Sequence, residues 1–402
     1  MTDGSEPKGA LDGLFVLDLS RILAGPTATQ MLGDLGATVI KVENPKTGGD
    51  DTRTWGPNYA RAPDGARTDL SAYFMSSNRN KRSIAVDIAT PEGQETVRQL
   101  AARADVIIEN FKPGGLAKYG LDHATMCAAH PGLVYCSISG FGQTGPNSAQ
   151  PGYDLMAQGY AGIMSLTGDP DGVPTKVGVG IADVMCGMYA TIGILAALRH
   201  RDQTGEGQHI DLSLVDASMA WLINEGCNYL TSGKVPERRG NAHPNIVPYD
   251  AFACSDGHVL VAVGNDSQFR RFCDAFGAPE MGADPAYATN LARIENRVAL
   301  TAAIAPLLRD VTTEQALEIM RNAKVPCGPI HNVAEALHSD QAMARGTVIE
   351  MTAEGVAGGT LNLLGNPLKF SRTPVTYRRP PPACGADTND VLAMLQDDSD
   401  AP

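Results

Sequence analysis

The sequence predicts an α/β protein with a doubly wound parallel sheet in a large domain and a second, smaller domain. The chain has 402 residues, 43% of them hydrophobic, which is enough to bury a large core. Short apolar runs alternate with helical patterns through the first two hundred residues. These runs are apolar on both faces, which is typical of parallel strands covered by helices on both sides.

Strands and helices follow one another in a regular order in this region. Strands are predicted at residues 14–19, 37–43, 82–87, 104–110 and 132–140. A helix begins after Thr90, because threonine is a good N-cap and Pro91 suits the first helical position. Residues 183–200 form a long apolar helix, and a further strand and helix follow residue 208.

The pattern changes in the middle of the chain, where a smaller domain is expected. Residues 250–264 predict a β-hairpin with Asp256 and Gly257 at its turn. Residues 312–330 return to a helix followed by a strand, which predicts that the large domain resumes there. The predicted division is residues 1–225 and 306–402 for the large domain and residues 226–305 for the small one.

Composition excludes several classes of protein. The net charge of −13 argues against a general nucleic-acid binder, although a local basic pocket is compatible with it. The longest apolar stretch, near residues 189–198, is about half of the roughly 20 residues that a membrane-spanning helix needs. The polar N-terminus has no signal-peptide core. The eight scattered cysteines, with no CxxC pair, predict reduced thiols, no metal site and a cytoplasmic protein.

A ligand site is expected where the parallel strands end. The loops that begin at Arg21, Glu43, Asn110 and Ser139 share one sheet edge, and their cations favour an anionic ligand such as an adenine nucleotide. Each loop alone is equally compatible with an ordinary turn. The first βα turn has only Gly25, and neither a P-loop nor a G-x-S-x-G elbow occurs. NAD, P-loop and serine-hydrolase chemistry are therefore not supported.

Asp183 is the principal candidate for catalysis. It follows a small apolar run and opens the long apolar helix. A simple N-cap role is the plainer interpretation. It does not exclude catalysis, because a helix N-terminus stabilises the carboxylate anion that a nucleophile requires. Gly180 and Gly187 would let a bulky ligand approach the backbone. Asp154 is a weaker candidate, and a turn or cap would also explain it.

Several motifs occur together and in a characteristic order. They are AGPTATQMLGDLGATVIKVE, GGDDTR, NRNKRSIAVD, ADVIIENFKPG, SGFGQTGP, TGEGQHIDLSLVDA and VPCGPI, with Asp183 between the fifth and the sixth. In this combination the chain resembles the class III CoA-transferases of the CaiB–BaiF type, from LDGLFVLDLSRILAGP to the PLKFS segment. The resemblance implies a Rossmann-like large domain built from both chain ends, a small central α+β domain and an interlocked homodimer.

The resemblance also implies the reaction and its participants. Acyl-CoA and a small carboxylic acid would be the substrates, without a tightly bound cofactor, a nucleic acid or a membrane. The aspartate at the position of Asp183 would attack the acyl-CoA thioester and form a mixed anhydride, then an aspartyl-CoA thioester. Such covalent splitting preserves the thioester energy that hydrolysis would discard. Exclusion of water by the glycine-rich loops belongs to this mechanism.

The resemblance implies a set of CoA contacts. These are Ile22, Leu23, Ala24, Val86, Asn110, Phe111, Lys118 and Tyr119. Lys118 stands where formyl-CoA transferase has an arginine, so the charge is kept but bidentate phosphate binding is not. Asn44 also replaces an arginine of that enzyme, which removes one contact to CoA.

Two other functions remain open from the sequence. Alpha-methylacyl-CoA racemases of the same superfamily use a histidine in a G-H-D motif and an aspartate thirty residues later. Here the motif is G-Y-D, with Tyr153 at the histidine position and 30 residues before Asp183. Because a tyrosine with a pKa of about 10 is a poor base, the transferase is favoured. A non-catalytic CoA-binding protein is the other alternative, and it would have no use for Asp183.

The loop at residues 238–245 is expected to determine the acid that is used. Its sequence, RRGNAHPN, replaces a run of glycines in formyl-CoA transferase and is similar to succinyl-CoA–glutarate-type transferases. Arg238, Arg239 and His243 could pair with the distal carboxylate of a dicarboxylic acid. An exposed basic loop is an equally good interpretation, and Tyr153 is a further candidate for contact with substrate. Cys384 to Thr388 departs from the family's G-E-H-T and has no mechanistic interpretation from sequence.

Overall fold

The computed structural model describes residues 9–397. The chain divides into two compact units. Of the described residues, unit 1 contains residues 9–163, Lys176–Leu222 and residues 340–397. Unit 2 contains Met164–Thr175 and Ile223–Ser339.

The strands are β1 (Phe15–Asp18), β2 (Thr38–Glu43), β3 (Tyr59–Arg61), β4 (Arg67–Ser71), β5 (Lys81–Ala85), β6 (Val106–Glu109), β7 (Val134–Ser139), β8 (His209–Ser213), β9 (Tyr249–Ala253), β10 (His258–Ala262), β11 (Cys327–Pro329), β12 (Val348–Thr352) and β13 (Thr360–Leu364). The α-helices are α1 (Ala24–Asp34), α2 (Ala72–Met75), α3 (Pro91–Ala101), α4 (His123–Ala129), α5 (Asp154–Tyr160), α6 (Ile163–Leu166), α7 (Ile181–Thr204), α8 (Leu214–Met219), α9 (Ile223–Ser232), α10 (Asp266–Ala275), α11 (Pro279–Ala283), α12 (Asn290–Glu295), α13 (Arg297–Arg309), α14 (Thr313–Asn322), α15 (Val333–Leu337), α16 (Asp340–Ala344) and α17 (Thr388–Asp397). Short 3₁₀ helices lie at Pro45–Thr47, Asp51–Thr54, Ala117–Tyr119 and Ala220–Leu222.

Unit 1 is built around a large parallel sheet. Among the described residues its strands follow the order β5-β2-β1-β6-β7-β8, and every pairing is parallel. The five strands predicted from the apolar runs are all present, and β8 is the strand expected after residue 208. The order reverses between β1 and β6, so the loops after these two strands separate and leave a crevice at that edge.

Helices cover both faces of the sheet. One core contains Val16 with Leu32 of α1 and Ile194 of α7, whereas the other contains the next residue of β1, Leu17, with Val97 of α3. Successive strand residues point to opposite faces, which explains why the strands are apolar throughout. Residues of α17 join the second core, so the C-terminal part of the chain belongs to unit 1.

Helix α7 is the central helix of unit 1. It is longer than the predicted helix and, by length and composition among the described residues, apolar enough to cross a membrane. Its buried face includes Cys186, Ala190 and Ile194, which join the core with α1. A Cβ atom on Gly187 would lie 2.6 Å from the carbonyl oxygen of Ala24, so glycine is required for this close approach. These contacts make α7 a core helix of unit 1.

Unit 2 contains a three-stranded antiparallel sheet in the order β11-β10-β9. The hairpin of β9 and β10 turns at Asp256 and Gly257, as predicted. The prediction that the large domain resumes at residue 306 was wrong. Strand β11 pairs with β10, and Leu317 and Met320 of α14 join the unit 2 core. Local periodicity predicts a helix and a strand but does not say which sheet they join.

The residues from Cys384 to Thr388, unexplained from sequence, cover the edge strand β5. The backbone N–H of Ser83 donates to Asp387 Oδ2 at 2.9 Å, and that of Ala85 donates to Thr388 Oγ1 at 2.9 Å. The N–H of Gly385 donates to Ser83 Oγ at 2.8 Å. Donors that an edge strand would otherwise expose are thus paired within the chain.

All eight cysteines lie within the described residues, and all are free thiols.

Candidate active site

A cleft of about 540 Å³ opens in unit 1 where β1, β2, β6 and β7 end. This is the crevice expected from the strand order. The cleft is lined by seven of the residues that the resemblance implies for CoA: Ile22, Ala24, Val86, Asn110, Phe111, Lys118 and Tyr119. Leu23 is instead buried immediately before α1. Tyr153 and Asp183 line the same cleft, so residues far apart in sequence meet there.

The loop between β1 and α1 is held in a strained conformation. Ile22 has a φ of 72°, which a β-branched residue rarely adopts. Asn110 accepts a hydrogen bond from the N–H of Arg21 at 2.9 Å and donates one to its carbonyl oxygen at 2.7 Å. The N–H of Ile22 donates to both carboxylate oxygens of Asp50, at 3.2 and 3.3 Å. This strain therefore persists because the surrounding contacts fix the backbone on both sides.

The same loop leads into the N-terminus of α1, which faces Asp183. The N-cap residue Leu23 has no side-chain acceptor for the first helical N–H groups, and the first turn has no acidic residue. The backbone N–H of Ala24 hydrogen-bonds to the carboxylate of Asp183. A helix N-terminus with unsatisfied N–H groups is a natural partner for an anion.

Asp183 is not the N-cap of its helix, so the simple cap interpretation was wrong. Helix α7 begins at Ile181 after the N-cap Gly180, which places Asp183 in the first turn. The capping acceptor comes from another helix: Asp154 of α5 accepts the N–H of Ala182 at 2.8 Å through Oδ1. Asp154, the weaker sequence candidate, therefore satisfies the helix end and leaves the Asp183 carboxylate available to the cleft.

The surroundings of Asp183 raise its pKa to about 7. Burial is the main cause, the negative charge of Asp154 adds to it, and the hydrogen bond from Ala24 acts in the opposite direction. The carboxyl group is thus divided between its protonated and ionised forms near neutral pH. Strongly shifted carboxyl groups in clefts are typical of functional sites.

Tyr73 of α2 is a residue that the sequence did not reveal. Burial and then the charges of Asp183, Asp154 and Asp50 raise its pKa to about 12. Its phenol therefore stays protonated near two carboxylates of the site and is available as a hydrogen-bond donor. No motif around Tyr73 distinguishes it, since only the tertiary structure brings α2 to this position.

Three polar side chains of the cleft already have partners within the chain. Arg21 Nη1 lies 2.8 Å from Asp51 Oδ2. Lys118 Nζ lies 4.7 Å from the ring centre of Tyr119, a cation–π distance. Asn44, at the position of a family arginine, accepts the N–H of Lys46 at 2.9 Å and so stabilises a 3₁₀ turn.

The three basic residues of the 238–245 loop belong to unit 2. Arg238 donates to the carbonyl oxygens of Asp169 and Gly172, at 3.1 and 2.7 Å, which ties Met164–Thr175 into this unit. Arg239 Nη1 lies 3.0 Å from Glu225 Oε1.

His243 differs from the two arginines, because its ring accepts a hydrogen bond on one side. The N–H of Asn245 donates to His243 Nδ1 at 3.1 Å. An accepting Nδ1 places the proton of the neutral ring on Nε2, which then acts as a donor.

Comparison with known proteins identifies the family. Residues 11–388 match the model of CoA-transferase family III. The chain belongs to CoA-transferase family III. The succinate–glutarate CoA-transferase of Agrobacterium fabrum is 47% identical over 396 residues, 98% of this chain and 98% of that protein. The Homo sapiens succinyl-CoA:glutarate CoA-transferase is 40% identical over 382 residues, 95% of this chain and 85% of that protein.

A solved structure supports the same assignment. A CaiB/BaiF family protein from Brucella suis is 46% identical and has a TM-score of 0.84, over 97% of this chain and 100% of that one. As a class III CoA-transferase, the protein moves CoA between an acyl-CoA and a carboxylic acid. Of the three functions compatible with the sequence, the transferase is therefore the one that family membership supports. The tyrosine of the G-Y-D motif, Tyr153, is well exposed beside the cleft.

Proposed function

We propose that Asp183 is the nucleophile of this CoA-transferase and carries the acyl group and then CoA in covalent form. The observation that supports this most directly is its position. Its carboxylate lies in the cleft at the sheet edge, bonded to the N–H of Ala24 and not used as a helix cap. A nucleophilic carboxylate must keep an oxygen free for attack, and the capping role of Asp154 leaves one.

The proposed reaction is a sequence of four acyl exchanges. A carboxylate oxygen of Asp183 attacks the thioester carbonyl of the donor, the C–S bond breaks, and CoA leaves as the thiolate. The thiolate attacks the aspartyl carbonyl of this mixed anhydride, which releases the donor acid and leaves aspartyl-CoA. The acceptor carboxylate attacks aspartyl-CoA and releases the thiolate. The thiolate then attacks the new acyl carbonyl, which forms the product thioester and regenerates Asp183.

These steps balance with acyl-CoA and a carboxylic acid alone, so the proposed reaction needs no bound cofactor. Negative charge develops on carbonyl oxygens at each exchange. The N–H groups at the start of α1, of which Ala24 already contacts Asp183, are suited to stabilise it. CoA itself is proposed to lie in the cleft, with Lys112 and Lys118 toward its phosphates.

The proposed donor is succinyl-CoA or another dicarboxylic acyl-CoA. The names of the Agrobacterium and human relatives, which refer to succinate or succinyl-CoA and to glutarate, support this class. We propose that His243 recognises the distal carboxylate, because its Nε2–H is a donor whereas the guanidinium groups of Arg238 and Arg239 already have partners. A distal carboxylate that loses water needs such a donor.

The assembly and location are also proposals. Helix α7 has exposed apolar side chains, Met188 and Ile192, and α5 has Leu155 and Met156. Such a surface supports a homodimer of the interlocked family type. The free thiols support a cytoplasmic location. Light scattering of the purified protein would test the dimer directly.

The proposed covalent mechanism is tested by trapping. The protein is incubated with succinyl-CoA without an acceptor and then treated with hydroxylamine, and peptides are analysed by mass spectrometry. Hydroxylamine converts an aspartyl anhydride or thioester into a hydroxamate, which should appear at Asp183. Acyl exchange without any adduct at Asp183 would overturn the mechanism. A racemase or a non-catalytic CoA binder would give neither exchange nor adduct.

The pH dependence of the reaction should follow the ionisation of Asp183. Its pKa is raised to about 7, so the nucleophilic carboxylate is lost as the pH falls through that value. We expect kcat/KM to be constant at higher pH and to fall about tenfold per pH unit below about 7. Initial rates with succinyl-CoA and glutarate in buffers of constant ionic strength would measure this.

The variant Asp154→Asn tests whether the pH dependence arises from Asp183 and not from the ionisation of a substrate. Burial is the main cause of the raised pKa of Asp183, and the change removes the second cause, the Asp154 charge. The asparagine keeps an oxygen for the N–H of Ala182. The fall in kcat/KM should then begin at a lower pH. A profile that does not move in this variant would assign the ionisation to another group.

Replacement of His243 should change the preference between acids. His243→Ala removes the Nε2 donor, so we expect KM for glutarate to rise ~10-fold, as for one lost charge-assisted hydrogen bond, and KM for valerate, a monocarboxylate of equal length, to change little. The matched control is His258→Ala, an exposed histidine of β10 in the same unit. An unchanged ratio of kcat/KM for the two acids in His243→Ala would contradict the assignment.

A further inference from the structure

Gln158 of α5 is a buried polar residue that joins this helix to the segment before α7. Its side chain is fully buried, with 0% exposure, on the same face of α5 as Asp154 four residues earlier. A buried carboxamide is costly unless both of its ends are hydrogen-bonded. Here both ends are bonded, one to Asp154 and the other to Val177 in the segment that leads to Asp183.

The two bonds of Gln158 hold two different parts of unit 1. Its Nε2 donates to Asp154 Oδ2 at 2.7 Å, and its Oε1 accepts the N–H of Val177 at 2.9 Å. The other oxygen of Asp154 accepts the N–H of Ala182 at 2.8 Å. The chain that enters α7 is thus attached to α5 at two points, Val177 and Ala182, and Asp183 follows directly after the second.

We propose that Gln158 is a positioning residue for the transfer reaction: it fixes the Asp154 carboxylate and the segment before α7, and through them the Asp183 carboxylate relative to the N-terminus of α1. This inference rests on the proposed role of Asp183 as the nucleophile. Gln158 itself does not line the cleft, and its side-chain hydrogen bonds go to Asp154 and to Val177. It acts by preventing Asp154 from rotating and the 177–180 segment from shifting.

The expected effect is on the chemical step more than on CoA binding. A displacement of a reacting group by about 1 Å costs ~100-fold in rate, whereas the CoA contacts of the cleft come from other loops. The position of Asp154 also affects the ionisation of Asp183, because the Asp154 charge is one cause of its raised pKa. Loss of Gln158 should therefore change kcat and the pH profile together.

Two variants test the proposal. Gln158→Met keeps the side-chain length and removes both hydrogen bonds, and we expect kcat to fall ~10–100-fold with KM for succinyl-CoA within about twofold of the wild type. Gln158→Glu is the conservative variant, because a buried carboxyl group at this position, next to the Asp154 carboxylate, keeps its proton. It can then donate to Asp154 and accept from Val177 as glutamine does, so we expect it to keep most of the wild-type kcat near neutral pH.

The matched control is Gln30→Met in α1. Gln30 is also a buried glutamine with both ends bonded, to the carbonyl oxygen of Ser76 at 3.1 Å and the N–H of Arg79 at 3.0 Å. The Gln30→Met variant should lose stability, measured as a lower Tm, but keep the wild-type kcat and pH profile.

Three results would overturn the proposal. They are a wild-type kcat and pH profile in Gln158→Met, a loss of kcat in Gln30→Met as large as that in Gln158→Met, and a loss of kcat near neutral pH in Gln158→Glu as large as that in Gln158→Met. Failure of the proposed function itself would look different, because the wild type would then show no Asp183 adduct.

Discussion

Asp183→Ala is expected to abolish acyl exchange and to leave the fold and CoA binding intact. The nucleophile has no substitute in the proposed mechanism, because every step passes through its carboxylate. The N-terminus of α7 keeps its cap in the variant, since the N–H of Ala182 is bonded to Asp154 and not to Asp183. Activity should drop by at least ~10⁴-fold, the scale seen when a covalent nucleophile is removed. CoA binding measured by calorimetry should change little.

The isosteric variant Asp183→Asn should also be more stable than the wild type at alkaline pH. The folded-state pKa of about 7 lies above the ordinary value of 3.8, so the native protein binds an extra proton between these values. The contribution of Asp183 to stability therefore decreases as the pH rises from about 4 through 7, and above 7 its ionised form costs up to ~4 kcal/mol. Asparagine avoids this cost.

Unfolding in urea at about pH 8 and about pH 4 would measure the difference. The gain should be present at the higher pH and largely absent at the lower one. Asp274→Asn, an exposed carboxylate of α10, is the control and should show no such gain at either pH. A stability of Asp183→Asn equal to the wild type at the higher pH would mean that burial does not destabilise this carboxylate.

Lys41→Met should destabilise unit 1 strongly. Lys41 Nζ lies 2.9 Å from Asp50 Oδ2, and both side chains are 0% exposed. Removal of one partner leaves a buried charge uncompensated, which costs about 3–5 kcal/mol. Asp50 also holds the N–H of Ile22, so the strained loop before α1 should loosen and activity should fall with stability.

The free energy of unfolding in urea at a fixed pH is the measurement, and two comparisons make it specific. Lys46→Met removes an exposed lysine that pairs with Asp87 at 2.7 Å and should change stability little. Adding Asp50→Asn to Lys41→Met removes the orphaned charge and keeps an oxygen for Ile22, so part of the stability should return. No loss in Lys41→Met, or no recovery in the double variant, would contradict the importance of this pair.

Local sequence patterns determined most of the secondary structure and the location of the site. The apolar runs fixed the sheet strands because a strand covered on both faces must be apolar at every position. Thr90 and Pro91 start α3 as predicted, and Thr90 Oγ1 accepts the N–H of Gly93 at 3.1 Å. Since parallel strands end at one edge, the loops at Arg21 and Asn110 were expected to meet, and they line one cleft.

The tertiary structure decided how the site is arranged. From the sequence, Asp183 was the candidate for catalysis, with a helix cap as the plainer role. The cap comes instead from Asp154 on another helix, and Gln158 holds that carboxylate. Tyr73 belongs to no motif and enters the site only because α2 packs near it. The pKa of Asp183 likewise depends on burial and on a charge 29 residues away in the chain. Local patterns report the period of a segment, whereas caps, strain and ionisation depend on which distant groups the fold brings within a few ångströms.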